Sequence, residues 1–150
     1  MLRYDYRHAV QLLGTLLLLK IIAMNKISVS HMSNAHNDWL RALDFYKQEL
    51  GILRGRLTEV AGKNTDAEAM KQVEHFENQF KIQVNSIDTL AHNINKHITA
   101  IGTQAQEAKA GYIDGELFTQ HNELHNSFSA EEKIIQELRA NFNVFAAKWM

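Results

Sequence analysis

Eight histidines in 150 residues are the one compositional excess of this chain, and any chemistry it performs rests most naturally on them. His36, His97 and His121 fall on or beside stripes of apolar residues that recur every three or four positions, and His125 follows His121 by one helical turn. Histidines at i and i+4 share a helix face, the spacing that lets two imidazoles reach one ion. If position 97 lies level with about position 127 on a neighbouring antiparallel helix, His97 faces His125 with His121 one turn away. The candidate metal site is then His97, His121 and His125, for zinc or another divalent transition metal, with Glu131 or Glu132 as a more distant carboxylate. Two other readings stand beside it: ordinary bundle histidines, hydrogen-bonded to a neighbour or to water and needing no cofactor, and a seam that responds to pH.

Other chemistries find little support. The chain has no cysteine, which removes disulfides, thiolate metal sites and cysteine nucleophiles together. A ferritin-like di-iron centre needs Glu-x-x-His on two helices, and no glutamate here has a histidine three residues later. His75 is followed four residues on by Gln79, so a hemerythrin-like His-x-x-x-Glu segment is missing there. There is no glycine-rich phosphate loop, no nucleophile elbow and no His-Glu-x-x-His, and the pattern leans away from an enzyme. A net charge of −1, with Arg54, Arg56 and Lys63 as the densest basic group, argues against a nucleic-acid partner. Trp39, Tyr46, Phe142, Phe145 and Trp149 stand at helical spacing and read as core rather than as a ligand box.

The elements that must position the histidines are long helices. Val73, Phe76, Phe80, Val84, Ile87, Ala91, Ile94, Ile98, Ile101, Ala105 and Ala108 form one amphipathic stripe. Upstream, Trp39, Leu43, Tyr46, Leu50, Leu53, Leu57 and Val60 alternate steps of four and three, the seam of a coiled-coil-like bundle. Downstream the stripe is Leu117, His121, Leu124, Phe128, Glu131, Ile135, Leu138, Phe142, Phe145 and Trp149. No proline interrupts any of them. The sequence therefore predicts an all-α, elongated antiparallel bundle of three long helices over about 34–61, 66–109 and 115–148. Ser33 or Asn34 caps the first, and Gly62 closes it in the left-handed conformation. Thr65-Asp66-Ala67-Glu68 opens the second as a capping box, Gly111 closes that helix, and Asp114 caps the third. Ser129-Ala130-Glu131-Glu132 is a second capping box at which the third helix can break and restart. Gly51 and Gly55, inside the first helix, mark either a tolerated propensity cost or a close backbone approach.

Residues 1–31 form a separate N-terminal apolar segment ahead of a bundle domain, 32–150. Arg3 and Arg7 precede an apolar run from Ala9 that Lys20 interrupts, so the segment reads as an export signal or anchor, as an upstream extension of a chain starting at Met24 or Met32, or as a packing helix. The first reading places the protein outside the cytoplasm or on a membrane and the second in the cytoplasm; a membrane contact would run through residues 9–23, which are too short to span one.

Helix lengths carry the functional expectation. At about 1.5 Å per residue the second helix is roughly 65 Å long and the first only about 40 Å. His36 should then lie level with about Ala91, leaving the tip of the hairpin uncovered. Ile94, Ile98, Ile101, Leu117, Leu124 and Phe128 become a candidate interface, to be covered by the N-terminal segment or by a second copy of the chain. On this reading the chain is a protein-interaction or structural module that self-associates through its tip, and the histidine metal site is the alternative.

Overall fold

The computed structural model describes residues 6–107 and 115–150, with 21–28 and 30 described through their backbone alone. These residues form three helices, α1 (Tyr6–Lys63), α2 (Ala67–Glu107) and α3 (Gly115–Trp149), each packed against the other two. The all-α antiparallel bundle is the fold the periodicity implied. Its interior is a single seam. α1 contributes Met32, His36, Trp39, Leu43, Tyr46, Leu50, Leu53, Leu57 and Val60, in steps of four and three throughout. α2 runs the other way with Ile101, His97, Ile94, Leu90, Ile87, Gln83, Phe80 and Phe76, and α3 keeps step from Leu117 to Phe145. Ring contacts of His36 with His97 and His121 anchor the register at one end, and the Phe76–Phe142 contact anchors it at the other. Stepping between these anchors, the three seams meet in three-residue layers, as the 3.5-residue repeat requires.

α1 does not begin near Ser33 or Asn34. It runs unbroken from Tyr6, because neither glycine nor proline occurs between residues 15 and 50 and a side chain able to cap does not by itself stop a helix. The extension answers the question of the tip. Met32 is buried level with Ile101 and Leu117, and Val29 is half-buried one step further on. The six tip residues are accordingly not a bare patch: Ile94, Ile101 and Leu117 are buried, while Ile98, Leu124 and Phe128 are half-buried against the core. Further upstream in α1, Val10, Leu12, Leu13 and Leu16–Leu19 are all more than half exposed among the described residues. No helix among the described residues is long and apolar enough to cross a membrane.

Several local signals resolve differently from their sequence reading. Gly62 lies within α1, and the helix end is held instead by Asn64, whose amide donates to the carbonyls of Val60 (2.8 Å) and Trp149 (3.0 Å). Asp66, not Thr65, caps α2, accepting from the backbone of Glu68 and Ala69. A Cβ built on Gly51 or Gly55 meets nothing within 4 Å, so these glycines carry a tolerated propensity cost and no close approach. α3 passes Ser129 without a break, since its seam keeps phase there. Within α2 the buried seam takes Gln83 and Leu90, and Val84 and Ala91 stand at its edge. Gly111 and Asp114 lie outside the described residues.

Candidate metal centre

One layer of the seam is histidine on all three helices. His36, His97 and His121 come together so that one ring nitrogen of each lies within 4.8 Å of the others, and His121 Nδ1 is 3.0 Å from His36 Nε2. The ring centroids of His36 are 5.1 Å from those of His97 and 5.0 Å from those of His121. A side chain on a helix leans toward its own N-terminus. α1 and α3 both carry their N-terminal sides toward the tip and α2 runs the opposite way. His36 and His121 therefore lean the same way and His97 the opposite way, and the His97 ring stands beside that of His36 but 6.3 Å from that of His121.

The structure replaces one member of the expected set. His125 stays outside it, exposed and 5.7 Å from the Trp39 ring, and His36 takes its place. Four residues turn a helix through about 400°, so His125 sits roughly 40° around α3 from His121, while Leu124 occupies the next interior position. His36 was misplaced for two reasons. Counting back from Lys63 leaves out the three-residue connection 64–66, and levelling by backbone position ignores that His36 and His97 lean toward each other from antiparallel helices. The signal was present nonetheless, because His36 continues the four-three alternation of the α1 seam one step beyond Trp39. Glu131 and Glu132 also lie away from the centre: Glu131 accepts a 2.6 Å hydrogen bond from Ser86, and Glu132 accepts one from Tyr46.

The electrostatics favour neutral rings. His36 is 1% exposed, and its pKa is pushed down from 6.5 to about 4, first by burial and then by the neighbouring His121 and His97. Burial likewise lowers His121, with His97, His125 and His31 adding to the effect. For His97 burial lowers the pKa and the nearby Gln120 side chain opposes it, although Gln120 does not reach hydrogen-bond geometry. Both ring nitrogens of His97 are buried and have no hydrogen-bond partner among the described residues. Neutral imidazoles keep the lone pairs that a metal ion takes up.

The residues fit a metal ion. A tetrahedral centre with bonds of about 2.0–2.1 Å spaces its nitrogens about 3.3 Å apart. His36 and His121 stand near that spacing, and closing the third ring takes a shift of up to roughly 1.5 Å. An open groove of about 470 Å³ between α2 and α3, lined by His97, Lys96, Gln120 and Glu123 among others, leads from solvent to the His97 side of the layer. Trp39 covers the opposite flank, stacked on His121 at 5.0 Å. Comparison with protein families, with curated proteins and with solved structures gives no match to this chain.

Proposed function

We propose that the chain is a metal-binding helical bundle that takes up one imidazole-preferring transition-metal ion through His36, His97 and His121. The observation that carries this reading is His97, buried with two unpartnered ring nitrogens against two other imidazoles. A buried polar group without a partner costs about 1–3 kcal/mol, and a seam that needed only packing would be better served by leucine. A metal ion satisfies all three rings at once and ties the three helices together at one level. The ligand set has no thiolate and no carboxylate, which favours zinc, copper or nickel over magnesium or calcium. A self-associating module that uses the 94–128 tip has less to support it, because Ile94, Ile101 and Leu117 are already buried within the chain.

Thermal unfolding of the full chain with and without metal tests the proposal. Zinc or copper(I) at 100 times its dissociation constant should stabilise the protein by about 2.7 kcal/mol. His36→Ala and His97→Ala should abolish the gain, and His125→Ala should keep it. Identical melting of the parent protein in the presence and absence of both metals would sink the reading.

A further inference from the structure

Three imidazoles leave a fourth coordination position, and we infer that the Met32 thioether fills it, making the layer a closed three-nitrogen, one-sulfur site that prefers copper(I) to zinc. This inference rests on the metal-binding reading above. Met32 lies one turn before His36 on the same face of α1 and is 2% exposed. Met32 and His36 have the i, i+4 spacing that lets two side chains of one helix reach the same ion, and the tip-side layer next to the histidines is Met32, Ile101 and Leu117. Of those three side chains only Met32 carries a donor atom. Its three rotatable bonds let the sulfur adjust to an ion held by the rings beside it. The layer on the other side, Trp39, Ile94 and Leu124, offers no lone pair.

Charge and access point the same way. Each ligand in the set is neutral, so a bound ion keeps its full charge inside the bundle. The desolvation cost of an ion grows with the square of its charge, roughly fourfold greater for a divalent ion than for a monovalent one of the same size. The carboxylate on the neighbouring groove, Glu123, has the Lys96 ammonium lining the same groove and leaves little net negative charge for the site. Zinc also commonly completes a three-histidine site with water, and the tip-side position is walled by Met32, Ile101 and Leu117, at 2%, 5% and 9% exposure. A thioether with imidazoles suits a soft monovalent ion.

The test is metal competition on the full-length chain under anaerobic conditions, with copper(I) set against a chromophoric chelator and zinc against a fluorescent one. Met32→Leu preserves volume and should weaken copper(I) binding at least about tenfold while leaving zinc affinity unchanged. X-ray absorption of the copper-loaded parent should show one sulfur neighbour, a readout that does not depend on how the variant folds. Equal copper(I) affinity in parent and variant, or a copper shell of nitrogen alone, overturns the role of Met32 and leaves the three-histidine site standing. Failure of the parent to retain either metal takes down both.

Discussion

Apart from Gln83, the seam is interrupted by polar residues around Glu131 and at the histidine layer, and these two interruptions are built differently. Around Glu131 the polar groups find one another. Ser86 donates to Glu131 and Tyr46 to Glu132, while Arg139 reaches Glu49 at 2.8 Å, so neighbouring helices are cross-linked. One oxygen of Glu131 and one of Glu49 remain without a partner, but each carboxylate holds at least one donor. The histidine layer shows the reverse. It has three polar side chains converging on one point, a single close pair among them, and a third ring with no partner at either nitrogen. A cluster in which every side chain has at least one protein partner fixes register without a ligand. A layer that converges and leaves one ring unpaired is what the metal-binding proposal rests on.

The largest effect should come from breaking the cluster around Glu131. Glu131→Ala removes the acceptor that Ser86 uses and leaves a cavity in a buried layer, so urea unfolding should report a loss of about 2–4 kcal/mol. Metal affinity should be untouched, because Glu131 lies ten residues, roughly 15 Å, along α3 from His121. A Glu131→Ala protein as stable as the parent would mean that the Ser86 contact fixes nothing.

The sequence made the fold far more legible than the site. Three seams in four-three alternation imply three packed helices whatever the loops do, since burial of a continuous stripe outweighs any single capping signal. That is why Ser33, Gly62 and Ser129, each a reasonable boundary by local chemistry, did not act as one. The site depended on register, which is a difference between two helices and not a property of either. An error of six residues in levelling α1 against α2 placed His36 beside Ala91 instead of His97, and the same shortfall in helix length made the tip look bare. His121 and His97 were found because they sit on their own stripes. Met32 was invisible as a donor until the seam was known to continue past His36.

Titration separates the two interruptions by sign. His36 ionises at about 4 in the folded chain against 6.5 when free, and His97 and His121 are shifted the same way. Their contribution to stability is fully present above pH 6.5 and is lost as pH falls through the folded values, because the unfolded state binds the extra protons. Metal-free protein should therefore be less stable at pH 5 than at pH 7.5, by roughly 1–3 kcal/mol, as calorimetry would read. Tyr46 behaves oppositely. Burial and the Glu132 hydrogen bond raise its pKa to about 12, so its contribution is present below pH 10 and lost as pH rises through 12. An acid limb that persists unchanged in His36→Leu would assign the loss to other groups.

The smallest effect is also the sharpest, because its sign differs from that of Glu131→Ala. His97→Leu replaces a ring having two unsatisfied nitrogens with an apolar side chain that suits the adjoining Ile94 and Ile101 positions. No described residue loses a hydrogen bond by the change, since neither nitrogen of His97 has one within hydrogen-bond geometry. Removing an unpaired buried polar group is neutral to favourable, so the metal-free variant should gain up to about 1 kcal/mol in urea unfolding while losing metal-dependent stabilisation entirely. A layer kept for function shows this opposition: the substitution that improves the apo fold abolishes the ligand. A loss of stability in metal-free His97→Leu would instead place His97 among the groups that hold the bundle together, and the two polar interruptions would then be of one kind.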